Sequence, residues 1–272
     1  EAGGFISAHV NSSVSGTVKA LEKRLMVNGS RVLSIIVEND GRYDAVPGMG
    51  EHRDPSSLSK QEIRDIVKDA GIVGMGGAGF PTNVKLTPKD ENAIDYCIVN
   101  GSECEPYLTS DYRMMLERPD EIVGGLKIML QLFDHAKGVI GIEDNKPQAI
   151  KVMQERVKNE PRISVQVLKT KYPQGGERSM IYAITGRKVN SSMLPADAGC
   201  IVDNVDTVIS IYRAIAEKTP LIERIITVTG DAIKKPCNFR VRTGTAYQEL
   251  IDAAGGFKEE PEKILSGGPM MG

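Results

Sequence analysis

Tyr96-Cys97-Ile98-Val99-Asn100-Gly101-Ser102-Glu103-Cys104-Glu105-Pro106 (YCIVNGSECEP, residues 96–106) decides the fold. Tyr96 to Val99 is a short apolar run that stops at Asn-Gly, so it predicts a buried strand followed by a polar loop. Downstream, Ile122, Leu126, Met129 and Phe133 recur on one helical face, Val139 to Ile142 reads as a strand, and Asn145 and Pro147 open a helix with Ile150, Met153 and Val157 inward. Ile163, Val165 and Val167 then alternate as a third strand. Strand and helix in alternation predict an α/β fold with a mainly parallel sheet covered by helices. Open sheets of this kind bind ligands in loops at the carboxyl ends of their strands. The loop after Val99 carries an amide, a hydroxyl and two carboxylates there, which suit the pyrimidine-like edge of a flavin, a ribose or a carboxamide. A solvated acidic loop is the plain alternative, since Glu is usually exposed. Glycosidase-like acid/base work by paired carboxylates finds no other support in the chain.

Upstream, Ser59 and Glu62 form a capping box for a helix that buries Ile63, Ile66, Val67 and Ala70 and ends at Gly71. The run Gly74-Met75-Gly76-Gly77-Ala78-Gly79-Phe80-Pro81 follows, with the G-x-G-x-x-G spacing inside it. Glycines there let backbone N–H groups approach a phosphate or a ring. A dinucleotide fingerprint follows a strand and opens a helix; this run follows a helix with only Ile72 and Val73 between, so an ordinary Rossmann reading is disfavoured. Lys85 stands close enough in sequence to supply charge to a phosphate. Tyr172-Pro173-Gln174-Gly175-Gly176-Glu177 is a third glycine-rich segment, ahead of a helix with Met180, Ile181 and Ile184, where Glu177 also complements the helix dipole. Asp203-Asn204-Val205-Asp206 precedes a helix with Val208, Ile211 and Ile215 inward, and capping alone accounts for it.

Outside this region the pattern is β-rich. Period-two alternation from Phe5 to Gly41 predicts short strands, residues 42–57 read as a linker, and strands are predicted at 225–229 and 239–241. A short helix capped by Thr245 with Gln248 and ended by Gly255-Gly256 completes a β-grasp pattern. The domain division is 1–45, a linker over 46–58, the α/β domain over 59–222 and the β-grasp module over 223–272.

A formal net charge of -2 recruits neither nucleic acid nor an anionic membrane. Cys97, Cys104, Cys200 and Cys237 fit neither a disulfide framework nor a CxxC metal pair, and the three histidines have no ligand spacing, so no metal site is expected and a reducing, cytoplasmic compartment is. No apolar run approaches the roughly 20 residues of a membrane helix, and the chain reads as soluble. Its opening inside a β pattern and its stop after Gly-Gly-Pro read as a fragment of a longer protein.

GIVGMGGAGFPTNVKL at 71–86 and IVNGSECEPYLTSDYR at 98–113 resemble signature segments of the C subunit of the Rnf electron-transport complex (the RnfC family), whose flavin fold is shared with the NADH-binding subunit of respiratory complex I. YPQGGER at 172–178, LPADAG at 194–199, IVDNVDT at 201–207 and SGGPMMG at 266–272 continue the likeness over essentially the whole chain. The resemblance implies an FMN-binding parallel-sheet domain flanked by a partial barrel-sandwich (lipoyl-like) module and an SLBB-type β-grasp module. The front module lacks the Met-Lys-Met hairpin of lipoyl and biotin carriers and reads as structural. Gly74, Gly76, Lys85, Asn100, Ser102, Glu103 and Asn204 are implied to hold FMN; Phe80, Glu105 and Glu177 are implied to lie on the NADH side. Ser102 stands where the complex I relative carries an acid.

The implied activity is that of one subunit of an ion-translocating ferredoxin–NAD oxidoreductase complex. Hydride passes directly between the nicotinamide and the flavin, with no catalytic side chain, and single electrons leave through two 4Fe-4S clusters. Those clusters belong to a domain of the full-length protein; their CxxCxxCxxxCP spacing is absent here. Implied partners are the membrane and ferredoxin-like Rnf subunits, NAD(H) and, indirectly, ferredoxin, with the protein peripheral on the cytoplasmic side of the membrane. Two rivals stand beside this reading. One is a soluble paralogue such as a corrinoid reductase or the electron-transfer protein of proline reductase; the other is a non-catalytic scaffold with an empty pocket.

Overall fold

The computed structural model describes residues 3–4, 6–26 and 29–268. The predicted strand start at Phe5 and the end of the SGGPMMG segment lie outside the described residues. At the front, β1 (Gly16–Leu25) and β2 (Arg31–Asn39) pair antiparallel as a two-stranded sheet. A register shift between Val18 and Ala20 breaks the expected strict alternation, and Val18, Leu21, Leu25, Leu33 and Ile35 are exposed.

The predicted capping box opens α1 (Lys60–Asp69): the Glu62 N–H donates to Ser59 Oγ and the Ser59 N–H to Glu62 Oε2 at 2.8 Å. A single turn, α2 (Thr82–Lys85), follows the glycine run. The α/β unit then runs β3 (Tyr96–Gly101), α3 (Ser110–Glu117), α4 (Pro119–Leu132), β4 (Lys137–Glu143), α5 (Pro147–Val157), β5 (Ile163–Leu168), α6 (Glu177–Thr185), β6 (Cys200–Asn204) and α7 (Val205–Ala216). A second antiparallel pair, β7 (Glu223–Val228) and β8 (Cys237–Arg242), and α8 (Tyr247–Ala253) close the described chain.

Two helix starts differ from expectation. α5 begins at Pro147 behind Lys146, with no side-chain cap from Asn145. α8 begins one residue later than a Thr245 cap requires, because the Thr245 hydroxyl donates to the Arg242 carbonyl and Gln248 bonds Asp252; the Ala246 N–H donates to Glu249 instead.

The central sheet has the order β5-β4-β3-β6, all parallel. Period-two side-chain direction explains its layers. Cys97, Val99, Ile140, Ile142 and Ile201 join the core formed with α1, α4, α5 and α7. Ile98, Leu168, Cys200 and Val202 pack on the opposite face with Met180 and Ile181 of α6. From β3 the chain winds outward through β4 to β5, then crosses back through α6 to lay β6 on the other side of β3. The strand order therefore reverses between β3 and β6, and a crevice for a ligand is expected outside their carboxyl ends.

α4 and α7 approach closely because α4 carries Gly124 and Gly125. A Cβ on Gly125 would overlap the Val208 carbonyl oxygen and lie 2.7 Å from Val208 Cγ1. On an open helix Gly→Ala gains about 1 kcal/mol. Here Gly125→Ala is expected to lower the melting temperature by several degrees, since overpacking costs about 1–3 kcal/mol; a melt at or above the parent's would show that the helices can separate freely.

Candidate functional site

Asn100 at the end of β3 and Asn204 at the end of β6 are register partners across the switch point. Asn204 is the N-cap of α7: its Oδ1 accepts the Asp206 N–H at 2.8 Å, while its Nδ2 donates to Asp111 Oδ2 at 2.6 Å. The glycine turn sits over this asparagine. Its ends are clasped by Gly74 N–H to Phe80 O (2.8 Å) and Thr82 N–H to Ile72 O (3.0 Å), and its shoulder is pinned by Met75 N–H to Thr207 Oγ1 (2.9 Å). A Cβ on Gly76 would come within 3.2 Å of Asn204 Cβ, and Gly79 has φ +62°, a left-handed conformation that glycine adopts without strain. Among the described residues, the N–H groups of Gly76, Gly77, Ala78 and Gly79 donate to nothing in the protein. They form the turn's outward tip. The run neither extends a sheet strand nor leads into a full helix, in agreement with its reading as something other than a Rossmann fingerprint.

The second loop is shaped by two non-glycine residues with positive φ, Glu103 (+47°) and Tyr107 (+68°), a conformation that persists only where surrounding contacts impose it. Glu103 turns back so that its carboxylate accepts the Asp111 N–H (2.7 Å) and the Tyr112 N–H (3.2 Å) at the start of α3. Asn100 Oδ1 accepts the Ser102 N–H at 3.2 Å and its Nδ2 donates to Gly175 O at 2.8 Å, while the Gly175 N–H donates to Cys104 Sγ. Lys146 Nζ donates to the Ser102 carbonyl at 2.7 Å. Ser102 is fully buried, yet its hydroxyl has no hydrogen-bond partner among the described residues; Gln174 Nε2, in the third segment, is likewise buried and unpartnered. Buried polar groups in that state ordinarily meet water or a ligand.

Charge at the site is dominated by buried carboxylates. Lys85 Nζ donates to the Val202 carbonyl (2.6 Å) and to Glu177 Oε1 (3.2 Å), and stands 3.6 Å from Asp203 Oδ1. Burial disfavours this ammonium, but Asp203 and Glu177 more than offset that and its pKa is raised. Burial lifts Asp203 from 3.8 to about 6, with Lys85 opposing. Asp111 is raised well above the usual carboxylate range by burial and then by Glu103 and Asp206; burial also raises Glu103 and Asp206.

Of the residues singled out in the sequence, Gly76, Asn100, Ser102 and Asn204 meet at the switch point. Lys85 and Glu177, expected on different sides of a bound pair of nucleotides, touch each other. Glu103 caps α3 with both oxygens. Glu105 is buried against Gly268, where a Cβ would overlap its carboxylate. Phe80 lies at the turn's end with 36% of its surface exposed. Sequence reasoning missed Thr207, Asp111 and Lys146, and read Asp203 only as a cap. The larger of the two described cavities, about 730 Å³, lies elsewhere, between α3, α4 and β8. Its Arg113, Arg118 and Arg213 are paired with Glu117, Glu121 and Glu217, and the carboxyl ends of β3 and β6, where open parallel sheets bind ligands, remain the better candidate.

An open parallel sheet with a glycine turn, a polar second loop and a partly buried lysine at its switch point places the chain in the class of α/β folds that receive ligands at the carboxyl ends of their strands. Residues 67–213 match the Nuo51 FMN-binding domain, and the chain belongs to that family. Residues 225–272 match the SLBB domain and 1–42 the RnfC barrel sandwich hybrid domain. The chain is 47% identical, over 98% of its length, to the C subunit of the proton-translocating ferredoxin:NAD(+) oxidoreductase complex of Clostridium ljungdahlii, and 45% identical over its whole length to the C subunit of the Na(+)-translocating complex of Acetobacterium woodii. It covers 58% and 61% of those two proteins. The resemblance to the Rnf C subunit read from the motifs is thus borne out. An NAD+-reducing [NiFe]-hydrogenase in the air-oxidized state shares the fold, with TM-score 0.63 at 22% identity over 75% of this chain and 40% of that one. Among the described residues no helix is long and apolar enough to cross a membrane.

Proposed function

We propose that the chain is the FMN- and NADH-binding part of an ion-translocating ferredoxin:NAD oxidoreductase, the complex to which its relatives belong. One observation carries this reading: the glycine turn packs on Asn204, the register partner of Asn100 at the β3/β6 switch point, so that the turn's unengaged amides and the second loop with its orphaned Ser102 hydroxyl belong to the same end of the sheet. These features fit FMN. Free N–H groups at the tip of the turn suit a phosphate or a ring carbonyl, and Lys85 offsets the negative charge of Asp203 and Glu177 that would otherwise repel an anion at this end of the sheet. Gly74, Gly76, Asn100, Ser102 and Asn204 hold the flavin; Glu103 acts mainly by fixing the loop's path. Phe80, Glu105 and Glu177 face the nicotinamide nucleotide. When bound, FMN supplies hydride acceptance and one-electron release, so the protein's task is to orient and to exclude water. The iron–sulfur clusters, the membrane and ferredoxin-like partners and the cytoplasmic, peripheral placement belong to the same proposal, as does the division at 45, 58 and 222.

Titrating the 272-residue chain with FMN and then adding NADH tests it. Saturable quenching of flavin fluorescence and bleaching of the bound flavin are expected; absence of binding at saturating FMN overturns the reading. In the same assay Glu105→Gln is expected to leave FMN affinity within about twofold and to slow bleaching by NADH about tenfold or more. Equal loss of both would move Glu105 to the flavin side.

A further inference from the structure

The described back module reaches each of the two loops proposed to grip the flavin. Thr227 of β7 and Asn238 of β8 are cross-strand partners. The Thr227 hydroxyl donates to Asn238 Oδ1 at 2.7 Å, Asn238 Nδ2 donates to Thr109 Oγ1 at 3.0 Å, and the Thr109 N–H donates to Thr227 Oγ1 at 3.3 Å. The three residues close a ring.

Thr109 is the N-cap residue of α3, and a threonine there ordinarily caps its own helix. Here it makes no side-chain cap. The hydroxyl is turned to Asn238 instead, and the orphan N–H groups of Asp111 and Tyr112 are taken by Glu103 from the second loop. The first turn of α3 therefore links the β-ribbon at one end to the Asn100–Glu105 loop at the other. Asp111, in that same turn, accepts from Asn204 beneath the glycine run.

β7 also touches the first loop. Arg224 Nη2 donates to the Met75 carbonyl at 3.3 Å, and its charge faces the buried Asp206 and the half-buried Asp111. At the far end of the module, Gly268 packs on Glu105.

We infer that Thr227 and Asn238 are positioning residues for the nucleotide cleft: through Thr109 they set where the second loop stands, and Arg224 does the same for the glycine turn. The inference rests on the flavin reading above. It gives the β-ribbon a part in binding that neither its fold nor its distance from the loops' own sequence reveals. Removing the Thr227 hydroxyl frees Thr109 to rotate back and cap α3, which releases Glu103 and lets the second loop drift; FMN then binds a looser cleft.

Thr227→Val, Thr227→Ser and Asn238→Ala in the 272-residue chain test this, by FMN fluorescence titration, visible circular dichroism of the bound flavin and thermal melts without FMN. Thr227→Val and Asn238→Ala are expected to raise the FMN Kd about tenfold, as for loss of an orienting hydrogen bond, and to weaken the flavin's dichroism. Thr227→Ser, which keeps the hydroxyl, is expected to retain the parent's affinity. Parent-level affinity and dichroism in both Thr227→Val and Asn238→Ala, with only a lower melting temperature, would reduce the ring to ordinary packing and overturn the inference alone. Failure of the unaltered chain to bind FMN would instead overturn the flavin reading, and this inference with it.

Discussion

Replacing Lys85 with methionine is expected to raise the FMN Kd at least thirtyfold, about 2 kcal/mol, and to lower the melting temperature by roughly 4–8 °C. The second effect follows from what the ammonium leaves behind. Asp203, with its side chain 1% exposed, would lose the cation 3.6 Å away, and the Val202 carbonyl would lose its 2.6 Å donor. Breaking a buried ion pair costs about 3–5 kcal/mol when the remaining charge persists. It does not persist here, because a carboxyl already raised to about 6 takes up a proton at neutral pH for roughly 1.4 kcal/mol or less. A net loss near 2 kcal/mol is what remains. The Lys85→Met/Asp203→Asn double variant separates the two effects: with no charge left buried, stability returns towards the parent while FMN affinity does not. Undiminished FMN binding by Lys85→Met would remove the lysine from the site, and an unchanged melt would show that Asp203 does not depend on it.

How much of this was legible beforehand differs from element to element. β3, β4 and β5 are short apolar runs separated by helices with one apolar face, so pattern alone exposes them. β6 escapes because Cys200-Ile201-Val202 offers only three apolar residues between Gly199 and an evident helix cap, and its strand character comes from pairing with β3, more than a hundred positions back. Without β6 the switch point cannot be placed, and local pattern reads Asn204 as a cap alone; the resemblance to the Rnf C subunit is what marked it as an FMN residue. It is a cap, and it is also the contact between the two loops. Glu103 shows the opposite limit. Its motif marks it as a site residue, but the positive φ that turns its carboxylate into α3 has no signal in a glutamate, and Ser110–Glu117 fully buries only the adjacent Met114 and Met115, which carry no helical spacing to announce a helix in need of capping. Thr207 and Arg224 hold Met75 across 132 and 149 positions, a separation at which local pattern carries no information. The SLBB-type module was legible in outline, yet its hold on the cleft was not.

The parent chain is expected to melt several degrees higher at pH 5 than at pH 7.5, and Asp203→Asn to remove much of that difference. Asp203 ionises at about 6 in the folded chain against an ordinary value of 3.8. Between those values the folded state keeps a proton that the unfolded chain releases, so stability falls as pH rises through the window and is lowest above it. Across the full window that is about 3 kcal/mol; from pH 7.5 down to pH 5 it is about 1.4 kcal/mol, or roughly 3–6 °C. Burial shifts Glu103, Asp111, Asp206 and Glu143 upward too, adding to the slope in the same direction. Asp40, Glu51, Asp54, Glu62 and Asp144 are held below their ordinary values by hydrogen bonds, and their contribution, present above those values, is lost only at still lower pH; all are solvent-exposed and therefore weak. A buried acid that costs stability at neutral pH is retained, on this argument, because its charge holds Lys85 in place and ionised. The asparagine variant should accordingly gain at pH 7.5 while losing FMN affinity. If thermal melts find the same pH slope in Asp203→Asn as in the parent, the titration lies with Glu103, Asp111 and Asp206 around the start of α3, and Asp203 is ionised throughout.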